Sequence, residues 1–565
     1  MDPLHPTEFS SLAYTKVPPS ILRAQQLKKR HLSNTLKRTL DRVNVLGDGE
    51  GRYGHQGCVN AVNWAQEGSL LLTAGDDTTV RLWRMDPSTS EQQFPFVCRS
   101  VITTGHRANI FNVQMLPYSN RIATCAGDHQ IRIFDATTPL EVRDGKETTF
   151  AARECTVRII RCHTERVKKL VVEESPDVFL SLSEDATVRQ HDLRTSHFCR
   201  EGECPAPLLR MDHELSTLSM SPVAPYQFVV AGESPYGYLY DRRYIGRVLQ
   251  REWGSVPRAG EGLTTCVRRF GRPPQPTNDS ERSRSRDHIT GSRISVTNGH
   301  EVILTYSQDK VYLFSTRDEP LGKDSVAAMT PATLPPNAKP RSKERSGKHT
   351  PTDRDSASSD NHDQHEHDEH DEEGEEDADA HEDSDENEEM GELFGFLRNY
   401  EDDSGNNAES VLPDVPLILP RSHYAGARNV DTVKDVNFLG PYDEFIVSGS
   451  DDGNWFMWDK TTGKLEGIYE GDESVVNVVE GHPHLPLVAV SGIDTTVKLF
   501  APASGKSRFS KMDNANRIVE ENERLSRRRV LRYNFGALLA RAAMDAVAEA
   551  GSEGVPVSTI DCPTQ

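Results

Sequence analysis

Nowhere in these 565 residues do 18 apolar side chains run together, the length a helix needs to cross a bilayer. Nor does the sequence open on an apolar signal core. We therefore expect a soluble chain, not secreted and with no membrane partner, placed in the nucleus, the cytoplasm or both. Cysteine is sparse: nine residues, an odd number, scattered without a CxxC pair. That spacing argues against a disulfide framework or a zinc module and fits reduced intracellular thiols. A basic field is missing too, because the net charge is −22, which speaks against direct nucleic-acid binding. Catalytic signatures are also lacking: there is no phosphate-cradling glycine loop, no HExxH, no GxSxG, and no acid pair placed to tune one member. The expectation is a protein that is not an enzyme, with no catalytic residue, no metal site and no cofactor.

The negative charge is local. Residues 360–392 hold 19 Asp and Glu and no Lys or Arg, so the remainder is close to neutral. With its Pro- and Ser-rich approach, this region has too little apolar surface to offset the entropy of ordering, and we expect a long disordered acidic insertion. Within it, HDQHEHDEHDEE (362–373) offers only weak adventitious metal binding. Ser358, Ser359 and Ser384 sit beside acids as candidate phosphorylation sites, and ELFGFL (392–397) is a candidate docking motif.

What the sequence does have is a repeat. GHQGCVNAVNWAQEGSLLLTAGDDTTVRLW (54–83) alternates apolar and polar positions with the period of half-buried strands. It carries His55, then Thr73, Asp77 and Trp83. A second copy supplies His106, Thr124, Asp128 and Phe134, and a third His163, Ser181, Asp185 and His191. Hydroxyl, acid and ring keep offsets of four and six. Two further copies follow the acidic region, with Ser448, Asp452 and Trp458 in one, Asp494 and Phe500 in the other. A degenerate fourth copy covers about 213–245, with Ser234 in the acid position. The fifth reads as split between 263–270 and 301–314. Repetition at this period means stacked or radial units. Seven such units predict an all-β, seven-bladed β-propeller, closed by a strand borrowed from the opposite terminus, with Arg42–Leu46 as the candidate.

Flanking helices complete the expectation. Ser20 is the candidate N-cap of a basic helix running to about Val43, with Leu32, Leu36, Leu40 and Val43 on one stripe. It reads either as a solvated helix or import patch, or as an amphipathic helix docking in a partner's groove. Asn514–Arg529 is a charge-laced helix, followed by an apolar stripe from Leu531 to Ala546. The segments are then 1–42 (mobile segment and basic helix), 43–315 (blades one to five), 316–423 (disordered insertion), 424–505 (blades six and seven) and 506–565 (helical tail).

These residues resemble the WD-repeat family. The resemblance implies that His, Ser/Thr, Asp and Trp form a buried hydrogen-bond chain inside each blade. His55, Thr73, Asp77, Trp83, His106, Thr124, Asp128, His163, Ser181, Asp185, Ser448, Asp452, Trp458 and Asp494 would thus hold blades together. Two tripeptides go further: Asp192-Leu193-Arg194 closes the third repeat and Asp241-Arg242-Arg243 the fourth. At matched blade ends they look like the paired box of WD-repeat substrate receptors for cullin-4 RING ubiquitin ligases. GHRANIFNVQMLP (105–117), YDRRYIG (240–246), YAGARNVDTVKDVNFLGP (424–441) and SGSDDGNWFMWDK (448–460) are similar to the branch that includes the nuclear receptor interaction protein. The resemblance implies that Arg194 and Arg243, oriented by Asp192 and Asp241, contact the ligase's adaptor, the large subunit of the damage-specific DNA-binding complex. The chain would then recruit protein substrates it does not itself modify. His191 stands where the box has an aromatic, and the calmodulin-binding motif of some members is not evident. An intrablade salt bridge is the plain alternative for each Asp–Arg pair. A second reading of the whole chain is a chromatin or transcription scaffold whose acidic loop binds histones or other basic proteins.

Overall fold

A computed structural model describes residues 19–48, 54–86, 93–142, 147–195, 199, 204–245, 264–272, 288–321, 412 and 415–527. The acidic run, its serines, ELFGFL, the histidine-rich stretch and the apolar stripe after Leu531 lie outside these residues.

Strand runs bounded by tight turns fold into seven sheets of at least four strands each, antiparallel but for a parallel fifth strand in two of them. Blade 1 is built from Ala61–Ala65, Leu70–Ala74, Thr79–Met85 and Phe96–Thr103, and blade 2 from Ile110–Met115, Arg121–Ala126, Ile131–Asp135 and Thr156–Ile160. Blade 3 uses Val167–Val172, Val178–Ser183, Thr187–Asp192 and a two-residue outer strand, Leu209–Arg210. Blade 4 comprises Leu215–Met220, Gln227–Gly232, Tyr236–Ile245 and Thr264–Gly271; blade 5, Ile289–Ile294, Glu301–Tyr306, Val311–Ser315 and Ser422–Tyr424. Blade 6 runs through Val436–Leu439, Phe445–Gly449, Asn454–Asp459 and Leu465–Glu470. In blade 7, Val476–Gly481, Val488–Gly492 and Val497–Pro502 are completed by Leu40–Leu46 from the far end of the chain. The molecule is a seven-bladed β-propeller.

Apolar residues from neighbouring blades share each core. Leu70, Leu72, Val80 and Leu82 of blade 1 pack with Ile110, Val113, Ile122 and Phe134 of blade 2. Most inner strands carry a bulge, as between Ile110 and Asn112 or Val167 and Lys169, which sharpens the local twist. Polar side chains of the inner strands meet across the centre. Lys169 of blade 3 pairs with Asp435 beside blade 6 at 2.8 Å, and Arg293 of blade 5 with Glu480 of blade 7, also at 2.8 Å.

Three expectations change. The N-terminal helix spans Pro19–Leu36 rather than 20–43, so Ser20 lies inside it. Leu40 and Val43 share helical spacing with Leu36, yet they belong to the closing strand, whose ladder with Val497–Pro502 satisfies an otherwise unpaired edge. Residues 263–270 do not begin blade 5. Thr264–Gly271 is the outer strand of blade 4, paired with Tyr236–Ile245, because a blade's outer strand comes from the residues just before the next blade's inner strand. The insertion also ends earlier than residue 423. Leu417–Ile418 pairs in parallel with Arg269–Phe270, and Ser422–Tyr424 is the outer strand of blade 5. Leu321 N–H donates to Leu417 O at 2.8 Å, and Arg421 Nε to Asp318 Oδ2 at 2.7 Å, clamping the two ends of the excursion.

Each blade's third strand ends beside the turn between its first two strands, since Asp192 pairs with Val178 and Asp241 with Gln227. This end of every blade defines the lower face. Pro502 pairs with Leu40, so the N-terminal helix joins at the lower face, and the acidic excursion also departs from it, after Ser315.

Candidate functional site

The two Asp-x-Arg tripeptides fall at the same point of adjacent blades, where the third strand reaches the lower face. In blade 3, Arg194 Nε donates to Asp192 Oδ1 at 2.9 Å and Nη2 to Oδ2 at 2.6 Å, while the Arg194 backbone N–H reaches Oδ1 at 2.9 Å. Blade 4 repeats this almost to the tenth of an ångström: Arg243 Nε to Asp241 Oδ1 at 3.0 Å, Nη2 to Oδ2 at 2.7 Å, backbone N–H to Oδ1 at 3.0 Å. Two parallel N–H···O bonds fix a planar guanidinium firmly. Yet the arginines stay accessible, their side chains 67% and 57% exposed. Arg243 also lies over the Tyr226 ring at 3.6 Å. Hydrogen bonds from Arg194 hold the Asp192 carboxyl at about 2. Burial would raise Asp241, but its bonds from Arg243 carry it below the ordinary range. The middle residue, Arg242, turns the other way and ties blade 4 to blade 3. Its Nη1 donates to Glu173 Oε1 at 2.6 Å and Gln190 Oε1 at 2.9 Å.

The acid belongs to a common turn; the arginine does not. Asp135 of blade 2 and Asp459 of blade 6 occupy the same position, but accept from Thr137 Oγ1 at 2.6 Å and Thr462 Oγ1 at 2.8 Å. Apolar exposure follows the same face. Tyr118, Val223, Val296 and Tyr442 are exposed on the first-to-second strand turns of blades 2, 4, 5 and 6, and Met85 at the third-strand end of blade 1.

Inside the first three blades lies a different kind of site. In blade 1, Trp83 Nε1 donates to Thr73 Oγ1 at 2.9 Å, Thr73 Oγ1 is 2.7 Å from His55 Nε2, and His55 Nδ1 is 2.9 Å from Asp77 Oδ2. Indole can only donate and carboxylate only accept, so every proton runs one way: Trp to Thr to His to Asp. Burial would raise the Asp77 carboxyl; hydrogen bonds from His55 and Thr79 bring it to about 2. Blade 2 repeats the chain through His106, Thr124 and Asp128, with Phe134 closing it without a donor. In blade 3, His191 takes the tryptophan's place. Its Nε2 is 2.7 Å from Ser181 Oγ, and Ser181 in turn 2.7 Å from His163. Burial depresses both His106 and His163, although their aspartates pull the other way.

A model of the WD domain, G-beta repeat, matches residues 50–84, 97–135 and 423–459, three stretches that fold here as propeller blades. The chain is a WD-repeat propeller. It is 23% identical to WD repeat protein iqw1 of Schizosaccharomyces pombe, over 83% of this chain and 90% of that one. It is 26% identical to Protein ALTERED SEED GERMINATION 2 of Arabidopsis thaliana, over 86% and 91%. With human DDB1- and CUL4-associated factor 6 it shares 29% identity over 53% of this chain and 30% of that protein. These similarities support the receptor branch of the family and mark the propeller as a protein-interaction module.

The last two blades of this WD-repeat propeller depart from the expected hydrogen-bond chain. Ser448, Asp452 and Trp458 are not linked to one another, because Val430 stands where the first three blades have histidine. Trp458 Nε1 donates to Ala425 O at 3.0 Å and Ser448 Oγ to Gly449 O at 3.1 Å. Asp452 is instead met by Asn522 of the C-terminal helix Ala515–Arg527, whose Nδ2 donates to Asp452 Oδ2 and Gly426 O, both at 2.9 Å. A wholly buried ion pair, Lys434–Asp451, adds to blade 6. Burial lowers the lysine, with Asp451 opposing. In blade 7, Lys498 pairs with Asp494 and lies 3.5 Å from Asp472, which occupies the histidine position.

Folding also gathers what the spacing kept apart. The sulfur atoms of Cys162, Cys199 and Cys204 all lie within 4.8 Å of one another. No CxxC spacing announces this cluster: Cys162 precedes the inner strand of blade 3, whereas Cys199 and Cys204 follow its third strand. Arg242, Tyr226 and Asn522 had no motif to announce them.

Proposed function

We propose that this propeller is the substrate-receptor subunit of a cullin-4 RING ubiquitin ligase, acting in the nucleus, the cytoplasm or both. The observation that carries the reading is the duplicated handle: two exposed guanidinium groups, each held in the same bidentate geometry, on neighbouring blades of one face. Arginine so preorganised loses little freedom on docking, which is the character of an interface anchor. The exposed apolar turns of that face supply contact area around it. The similarity to a protein named as a DDB1- and CUL4-associated factor supports the adaptor, the large subunit of the damage-specific DNA-binding complex, as the partner. Ubiquitin transfer would be performed by the ligase's other subunits, and this chain would raise the local concentration of a protein target. The salt bridges in the handle are internal to each tripeptide, as the plain alternative held, but they leave the outer guanidinium edge accessible to a partner.

The test is a triple comparison by adaptor co-purification and thermal melting. The Arg194→Ala/Arg243→Ala double variant should lose the adaptor while remaining a cooperatively melting propeller, lowered only by the loss of Arg243's bonds to the buried Asp241. Arg242→Ala should keep the adaptor but melt lower, because it severs the blade 3 to blade 4 link. Full adaptor recovery by the double variant would refute the assignment.

The 19 carboxylates of residues 360–392 favour a second, compatible reading: a scaffold that engages histones or other basic proteins. Such binding weakens with salt, as screening acts over about 8 Å at physiological ionic strength. Deleting 355–392 should abolish histone pull-down and spare the adaptor; unchanged histone capture would remove this reading.

A further inference from the structure

Blade 3 has an unusual outer edge. Among the described residues its fourth strand is the two-residue Leu209–Arg210, paired with Thr187 and Val188. Beside the rest of the third strand lie Cys199, Cys204 and Pro205. Arg189 Nη1 donates to Pro205 O at 2.8 Å, and Arg158 of blade 2 donates to Leu193 O at 3.2 Å and Thr195 O at 2.7 Å.

Cys162 clusters with Cys199 and Cys204. This residue sits between the outer strand of blade 2, ending at Ile160, and the inner strand of blade 3, one position before His163 of the buried chain. Cys162 Sγ and Cys199 Sγ are 3.6 Å apart, and Cys204 completes the triangle within 4.8 Å. Ligands at about 2.3 Å from a tetrahedral zinc ion lie about 3.8 Å from one another; the 3.6 Å pair matches that spacing, and the third sulfur lies within about an ångström of it. The Arg161 backbone N–H donates to Cys199 Sγ at 3.3 Å, the kind of bond that orients a metal-bound thiolate. Cys162 belongs to the apolar cluster of Ile160, Val167, Leu170 and Phe179, against which the half-buried Cys199 and Cys204 pack.

We propose that Cys162, Cys199 and Cys204 are three ligands of a structural zinc ion that staples the irregular outer edge of blade 3 to blade 2. Soft thiolates in tetrahedral array select zinc among the common divalent ions. Each thiol gives up its proton to solvent on binding, and a water or one further side chain completes the fourth position. The staple lies five residues from Arg194 in sequence, but its existence does not depend on the ligase reading.

The full-length protein, purified under reducing conditions without chelator, should contain near-stoichiometric zinc by elemental analysis. Exchange with cobalt should produce the intense thiolate-to-cobalt charge-transfer band and tetrahedral d–d absorption. Cys199→Ser/Cys204→Ser should lose both signals, whereas Cys98→Ser, in blade 1, should retain them. If the double variant fails to fold, Cys204→Ser alone should still lower zinc retention against a competing chromophoric chelator. Sub-stoichiometric zinc with no cobalt–thiolate band in the wild type would overturn the proposal. So would peptide mapping that finds a Cys162–Cys199 disulfide in protein alkylated at once on lysis. Either failure leaves the adaptor experiment with Arg194 and Arg243 unaffected.

Discussion

Thr73 has one hydroxyl and two buried clients. It accepts from Trp83 Nε1 and faces His55 Nε2 in a site closed to water. Valine has the same shape and satisfies neither. Leaving a buried polar group unpaired costs about 1–3 kcal/mol, so Thr73→Val should lower the free energy of unfolding by about 2–5 kcal/mol in a urea titration. Blade 2 supplies an internal control. Its ring is Phe134, which has no donor, so Thr124→Val orphans only His106 Nε2 and should cost roughly half as much. Equal losses at the two positions would show that cavity shape rather than hydrogen bonding dominates. The histidine, hydroxyl, acid and ring of the first three blades were legible in the sequence because a turn and a strand pair fix their offsets. Asn522 and Lys434 were not. Asn522 meets Asp452 from a helix of largely polar residues, and a lone lysine in a strand-like run reads as a surface charge until Asp451 is folded against it.

At the scale of the element, the decisive piece is Leu40–Leu46. It pairs along the whole of Val497–Pro502 and inserts Leu40 and Leu46 into two different inter-blade cores. The helix before it, Pro19–Leu36, adds Leu32 and Leu36 to the first of these. Truncation should therefore have a threshold. A chain starting at residue 37 keeps the ladder and should remain soluble and cooperative, melting below wild type by the loss of two buried leucines. A chain starting at residue 47 exposes both the third strand of blade 7 and its apolar face, an invitation to aggregation. Soluble yield and circular-dichroism melting would distinguish the two, and equal behaviour would mean that closure does not rest on this strand. The need for a closing strand was readable from the repeat count, and the strand itself was nearly located. Its first residues were lost to the helix because leucines at 32, 36 and 40 satisfy a helical stripe by coincidence. Outer strands were harder. Ser422–Tyr424 completes blade 5 from beyond the acidic excursion, where no local alternation connects it to Val311–Ser315.

Across the whole molecule the buried chains and the blade seams share one response to acid. His106 and His163 are depressed by burial. His482, at the seam between blades 7 and 1, is pushed by burial to about 4. Its Nε2 donates to Gly68 O at 3.1 Å while Nδ1 accepts from the backbone N–H groups of His484 and Leu485, each at 2.9 Å. That arrangement requires a neutral ring. Below the ordinary histidine value of 6.5 the unfolded chain takes up these protons and the folded one resists. Stability therefore rises with pH in this window; it is complete above 6.5 and lost as pH falls through about 4 for His482. The aspartates act in the same direction lower down. Asp77 and Asp192 sit at about 2 against an ordinary 3.8, so what they contribute is present above 3.8 and lost as pH falls toward 2. The melting temperature should be highest near neutrality and decline in two stages, the first beginning near pH 6.5. His482→Gln, which cannot take up a proton, should flatten the part of the first stage that belongs to the seam. A melting temperature constant from pH 7 to 4.5 would contradict the neutral-imidazole network. Because Asp192 is protonated only near pH 2, the Arg194 clamp should outlast that first stage, and acid should weaken adaptor capture by loosening the propeller before it discharges the handle.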